Sequence, residues 1–357
     1  MDVTRFCSQS AVLVVVGKGG VGKTTASAAL ATLAARNGLS VLLVELEKRH
    51  GLSETLVQQL LTRNEQDEVE PPASGSGNGT THSAQIRART LSPEDALTEY
   101  LVDHGLRRVA KRLVNSGTLD LVATAVPGVR DVLVLGQIVQ LERAGAVDLI
   151  VVDGPAAGHA TTFLSGADGL LDSSRAGPMR TRSAEVVELL SDPGRCRAIL
   201  VTLAEETPVN ETVEAAFNLQ DRVGIHLAPV IVNGLYPRLD HLDADPEAAA
   251  AAAGIILPPG QGNAMRAAAT FRRQRQDMQA EQTARLTAAL PLPQLRLPHL
   301  CSDEIGLPEL DLLADALERG MVDLREPAGR ACRTGPTGPA ARQRISRHAP
   351  ADSDSSS

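Results

Sequence analysis

Lysine is nearly missing from this chain: of its 35 basic residues, only Lys18, Lys23, Lys48 and Lys111 are not arginine. Aromatic side chains are almost as scarce, with no Trp, two Tyr and four Phe among 357 residues. The series Arg266, Arg272, Arg273, Arg275 therefore has only Phe271 beside it, and base stacking on a single strand lacks its platforms. Positive charge is short overall as well. A net charge of −8 gives no general attraction to nucleic acid or to an anionic membrane. Cys7, Cys196, Cys301 and Cys332 are scattered with no C-x-x-C pair. That argues against a disulfide scaffold, a zinc clasp or an iron–sulfur site, and it fits a reducing compartment. No apolar run approaches the ~20 residues of a bilayer span, and the first residues hold no signal-peptide core. The expectation is a soluble, cytoplasmic protein.

Against that scarcity, two of the four lysines fall in one stretch, Gly17-Lys18-Gly19-Gly20-Val21-Gly22-Lys23-Thr24-Thr25. These nine residues satisfy the phosphate-loop pattern G-x-x-x-x-G-K-[ST], with an extra Lys directly after the first Gly. The flanks agree. Ala11 to Val16 is a short apolar run suited to a strand buried on both faces. Behind the loop, Ala26, Leu30, Leu33 and Ala34 recur at helical spacing, and Asn37-Gly38 supplies a stop. A strand, a Gly-rich turn and a helix N-terminus aim backbone N–H groups and a positive dipole end at an anion. Lys23 is expected to reach the β- and γ-phosphates of a nucleotide, and the Thr24 hydroxyl to ligate Mg²⁺.

Other strands appear as short apolar runs. Val41 to Val44 ends at Glu45-Leu46-Glu47, Val147 to Val152 ends at Asp153-Gly154-Pro155, and Val230 to Val232 ends at Asn233-Gly234. Ala198 to Leu203 precedes Glu205-Glu206-Thr207-Pro208, where Pro208 suits the first turn of a helix. Gln85 to Leu91 reads as an edge strand, and Leu295-Arg296-Leu297 is a weaker candidate. Amphipathic segments of crossover length lie between. The pattern predicts an α/β fold, a doubly wound and mostly parallel sheet with a small inserted helical subdomain over about 92–145 and 160–192. In such a sheet ligands gather at the carboxyl ends of strands, where Glu47, Asp153 and Asn233 fall.

Residues 1–10 are expected to be an N-terminal tail, 11–325 one phosphate-loop domain, and 326–357 a disordered tail closing on Asp352-Ser353-Asp354. Residues 70–84, with Pro71-Pro72 and Ser74-Gly75-Ser76-Gly77, read as a flexible surface insert. The Ala248–Ala253 run reads as a helix or a loose excursion.

At this point the residues reach a resemblance. The loop with its early Lys18 resembles the deviant Walker A of the SIMIBI-class ATPases, and Asp153-Gly154-Pro155-Ala156-Ala157-Gly158-His159 resembles the switch II signature D-T-A-P-T-G-H of one branch. That branch holds the ArsA arsenite-pump ATPase and the tail-anchored-protein targeting ATPases, and the likeness runs over most of 11–320. Glu45 to Ser53 occupies the switch I position. Ala125-Val126-Pro127-Gly128-Val129-Arg130-Asp131 between the switches, with Glu in switch I, is similar to actinobacterial ArsA-like ATPases. The resemblance implies a P-loop NTPase fold and a Mg²⁺-dependent ATPase. It implies that Lys18 reaches the γ-phosphate held by a facing subunit, that Glu47 orients the attacking water, and that Asp153 holds the metal-bound water network. Gly158 and His159 would be the moving part of switch II. Asn233 would read the adenine edge, and Leu297-Pro298-His299 before Glu304-Ile305-Gly306 would form the adenine-side loop.

Phosphoryl transfer asks for cations on spreading equatorial charge, a held metal and an aimed water. The loop residues, Thr24 with Asp153, and Glu47 meet these needs in turn. Alternatives stand beside them: Glu47 as an exposed loop acid, and Asn233 as the start of a turn with Gly234. Two departures from the family pattern bear on rate. Lys48-Arg49-His50 follow Glu47 in place of P-A-[HS], and Gly154 replaces a Thr.

Cargo is less legible. A single half with dispersed cysteines disfavours arsenite sensing, and no zinc clasp is expected. Phe163 to Leu190 reads as ordinary packing or as a client groove. Arg107, Arg108, Lys111 and Arg112 form a basic helix face, either solvated or a docking patch for a membrane surface or an acidic partner. The favoured class is an ATPase whose cycle opens and closes a dimer, homomeric or with a paralogous ATPase, around a cargo or membrane partner of unknown identity, with no nucleic acid. A ParA/MinD-type positioning ATPase and a low-turnover subunit of a hetero-pair are the other two classes.

Overall fold

The computed structural model describes residues 3–46, 86–116, 128–173 and 176–324. In chain order these form α1 (Val3–Cys7), β1 (Val12–Gly17), α2 (Lys23–Arg36), β2 (Val41–Leu46), β3 (Ile86–Leu91), α3 (Pro93–Asp103) and α4 (Arg107–Ser116). There follow α5 (Val129–Ala144), β4 (Leu149–Ala156), α6 (Ala157–Ser173), α7 (Pro178–Ser191), β5 (Cys196–Leu203) and α8 (Glu206–Asn218), which runs into a π-helical turn at Leu219–Val223. The last elements are β6 (His226–Leu227), β7 (Val230–Leu235), α9 (Pro246–Ala252), α10 (Gln261–Ala289), β8 (Gln294–Pro298) and α11 (Leu307–Asp323). Glu47, the insert at 70–84 and the tail at 326–357 lie outside the described residues.

Seven strands run side by side in the order β3-β2-β4-β1-β5-β7-β8, with the short β6 paired to β5, and every pairing is parallel. The all-apolar β1 sits in the middle, and the alternating strands β3 and β8 lie at the rims. β1 is buried at all six positions, whereas edge strand β3 exposes part of its length. Side chains alternate across each strand, so one run of valines feeds two cores. Val12, Val14 and Val16 join Ile150, Val152, Ala198 and Leu200 under α5, α6, α7 and α8. Leu13 and Val15 join Val151, Ile199 and Val201 under α1, α2 and α11. The sheet is therefore doubly wound, as the run pattern predicts. The helices of 129–144, 157–173 and 178–191 share the sheet's own cluster through Leu133, Leu164 and Leu189.

Three readings change. Residues 3–7, expected as tail, are a helix whose Val3, Phe6 and Cys7 are buried against α2 and α11; spacing of three and four puts them on one face. β4 does not stop at Asp153 but continues to Ala156, because β1 keeps pairing with it across a bulge, Val15 with Asp153 and then Gly17 with Ala156. β7 likewise passes through Asn233 to Leu235, which pairs with Pro298 of β8. The weaker strand candidate at Leu295–Leu297 is β8, an edge strand.

Candidate functional site

The phosphate loop leaves the carboxyl end of the central strand and turns into α2. Among its glycines, Gly22 is explained by close packing. A Cβ on Gly22 would stand 2.3 Å from the Asn233 amide nitrogen, and Gly22 has φ +87°, a left-handed conformation that glycine adopts without strain. Gly19 and Gly20, in contrast, have no described atom within 4 Å of where a Cβ would be. Among the described residues the loop is thus tight at Gly22 and open at Gly19 and Gly20. Among the described residues no side chain caps the first turn of α2, so that end suits an anion.

Inside the loop, Lys23 Nζ donates to the Lys18 carbonyl oxygen at 3.1 Å. Burial lowers the Lys23 pKa, against the pull of the Asp153 charge. The Thr24 hydroxyl donates to Asp153 Oδ2 at 2.6 Å, and the Ser27 hydroxyl to Oδ1 at 3.4 Å. Burial raises the Asp153 pKa, opposed in turn by the Thr24 hydrogen bond, the Lys23 charge and the Ser27 hydrogen bond. Each member of this pair is pushed toward its neutral form, so burial outweighs their mutual attraction. A carboxylate and a hydroxyl in contact are hard oxygen donors of the kind Mg²⁺ accepts, and an uncapped helix start beside a desolvated lysine suits a polyphosphate. The residues fit both groups.

Val21 is buried beneath the loop, with Thr25 half-buried in the first turn of α2. Asn233 reaches the loop directly: its Nδ2 donates to the Val21 carbonyl at 2.9 Å, and its Oδ1 accepts from Gly234 N at 2.9 Å. Pro298 lies one strand further out. Beside it His299 N donates to the Leu235 carbonyl at 2.8 Å, and the His299 ring stacks on Tyr236 with centroids 4.4 Å apart. Arg272 covers that tyrosine at 4.3 Å. The structure thus gathers Gly17, Lys18, Gly19, Gly20, Val21, Gly22, Lys23, Thr24, Thr25, Asp153 and Asn233 at one end of the sheet, with Pro298 at its rim. Glu47 is outside the described residues.

Gly154 has a local cause. A Cβ there would sit 2.4 Å from the Val15 carbonyl oxygen, at the β1–β4 bulge. A threonine does not fit this backbone.

Four residues escape sequence reading. Ser27 follows Thr24 by one helical turn, a spacing that could have revealed it. Glu45 pairs in register with Asp153 and alternates onto the same side of the sheet, two positions before Glu47. Gln279 of α10 bonds Tyr236 N and the Gly234 carbonyl, at 2.9 and 3.0 Å, and so fixes the end of β7. Glu211 of α8 forms an ion pair with Lys18; at a separation of 193 residues no local signal exists. Between the loop at 18–21 and residues 203–208 opens a cavity of about 470 Å³.

Comparison with known proteins gives consistent results. A family model described as anion-transporting ATPase matches residues 10–173. The chain is 32% identical over 324 residues to the ATPase BagA of Mycobacterium tuberculosis, covering 85% of this chain and 91% of that protein. An arsenical pump-driving ATPase of Escherichia coli is 29% identical over 235 residues, 65% of this chain but 36% of the pump protein. The ATPase GET3B of Arabidopsis thaliana is 25% identical over 272 residues, 62% of this chain and 63% of that protein.

Proposed function

Because this chain belongs to the ArsA-like family of anion-transporting ATPases, we propose that it is a Mg²⁺-dependent ATPase whose hydrolysis cycle opens and closes a dimer and with it a binding surface for a partner or cargo. The observation that carries this reading is the contact of Thr24 with Asp153 beside a half-buried Lys23, at a helix start that no described side chain caps. Lys23 and the loop N–H groups hold the β- and γ-phosphates. Thr24, with Asp153 behind it, would hold Mg²⁺, which would supply charge neutralisation at those phosphates. Glu47 orients the attacking water. Lys18 acts on the nucleotide of a facing subunit, as an arginine finger does elsewhere. Asn233 and Pro298 border the adenine side. Asp153 also passes the state of the γ-phosphate to Gly158 and His159, at the start of α6.

Steady-state ATP hydrolysis with Mg²⁺, read beside sedimentation of the same samples, tests this. Wild type is expected to turn over and to dimerise with ATP. Lys23→Ala is expected to lose nucleotide, and Glu47→Ala to keep the ATP-bound dimer without turnover. Binding without turnover in wild type would instead favour a sensor, or one half of a hetero-pair.

A further inference from the structure

We propose that Glu211 is a positioning residue for Lys18, holding its ammonium on its own chain until a second subunit closes over nucleotide. This rests on the reading of Lys18 as a cation that acts across the dimer.

The geometry is that of a fixed post and a swinging arm. Glu211 stands on α8, which is anchored by the buried Val209, Thr212, Ala215 and Ala216, so packing sets where its side chain starts. The Lys18 main chain is fixed too, because its carbonyl accepts from Lys23. Only the four-carbon stem of Lys18 is left to move. Lys18 Nζ is paired with Glu211 Oε1, and the two side chains keep 34% and 38% of their surface exposed, so the pair opens without disturbing the core. Glu205, nearby at the start of the same helix, is occupied by Arg275 at 3.0 Å. The cavity between the loop and 203–208 adjoins Lys18 and leaves its stem room to swing.

Glu211 and a nucleotide phosphate compete for the charge of the Lys18 ammonium. In the resting chain Glu211 neutralises Lys18 and turns it toward α8. In a closed dimer a nucleotide phosphate, which carries more charge than a carboxylate, takes its place, and water exclusion strengthens the new contact. Breaking the Lys18–Glu211 pair is therefore a cost charged to dimer closure. An exposed pair of this kind changes an equilibrium about two- to fivefold.

The test is dimerisation driven by Mg²⁺ and a non-hydrolysable ATP analogue, measured by sedimentation for wild type, Glu211→Gln, Glu211→Asp, Lys18→Ala and the Lys18→Ala/Glu211→Gln double variant. Glu211→Gln is expected to dimerise at about two- to fivefold lower analogue concentration. The gain fades at high salt, and it vanishes when Lys18 is already alanine. Glu211→Asp, which keeps the charge, stays near wild type. Because the chain has four lysines, ¹³C-dimethyl labelling gives a direct readout: without nucleotide, the Lys18 resonance moves in Glu211→Gln while that of Lys111 does not. An unmoved Lys18 resonance, or an equal change in dimerisation with and without Lys18, overturns the proposal. If Lys18→Ala abolishes turnover while Glu211→Gln shifts nothing, the proposal alone fails. If Lys18→Ala behaves as wild type in both assays, the cross-dimer reading of Lys18 fails and takes the proposal with it.

Discussion

Two lysines of a single loop are placed in opposite surroundings. Lys23 lies inside, partly desolvated, with its ammonium on a backbone carbonyl and a carboxylate close by. Lys18 lies outside, half-exposed, tied to an acid from a distant helix. The difference teaches that spacing in a motif does not assign a role. Partial burial and the bond to the Lys18 carbonyl make Lys23 a fixed part of the loop, as the proposed phosphate cradle requires. Exposure leaves Lys18 exchangeable, which is what the proposed role across a dimer requires.

The sharpest way to break this comparison is to remove each lysine in turn. Lys18→Ala is expected to lower turnover about a thousandfold, the scale of a trans-acting cation in phosphoryl transfer, while ADP affinity of the isolated chain stays within about twofold; kinetics and calorimetry check the pair of values. Lys23→Ala is expected to weaken nucleotide binding by up to about a hundredfold, the loss of charge-assisted hydrogen bonds, in the same calorimetric titration. If both variants fail in the same way, the two environments do not divide the labour.

Smaller effects sharpen the buried side. Gly154→Thr forces a Cβ onto the Val15 carbonyl and is expected to cost about 1–3 kcal/mol, read as a lower urea midpoint with unchanged slope. Asp153→Asn is expected to stabilise the nucleotide-free chain slightly. Burial raises the Asp153 pKa above its ordinary 3.8, so the ionised form opposes folding. The penalty is absent below pH 3.8, develops as pH rises through the raised value, and persists to neutrality. The gain in Tm of Asp153→Asn over wild type should therefore grow from acid toward neutral pH, and thermal scans at a series of pH values check it. Saturating Mg²⁺ and ATP should reverse the order, because bound ligand stabilises only the chain that holds it well.

The central fold was legible because its strands are buried on both faces and read as bare apolar runs. The loop was legible because phosphate chemistry needs several residue types at fixed spacing. Strand ends were not. Whether β4 stops at Asp153 or continues to Ala156 is decided by pairing with β1, a partner more than a hundred residues away. Cys7 and Phe6 looked like tail because a five-residue helix has too little sequence to show a period, and only α2 and α11 give it something to cover. Ser27 and Glu45 lay one turn and one strand alternation from residues already singled out. Glu211 carried no mark at all, since a lone acid on a helix acquires meaning only from what folds against it.

β4 ends at Ala156 and α6 begins at Ala157, with no residue between them. The helix that follows has 17 residues, about 25 Å of rigid rod at 1.5 Å per residue. Such a junction has no slack in which a displacement at Asp153 could be absorbed. A tilt of about 5° at its base would carry the far tip of α6 through about 2 Å, the size of step by which packed helices shift between states. α6 is in this sense a lever whose short arm rests on the carboxylate that Thr24 and Ser27 hold, and the lack of a linker sets its mechanical advantage.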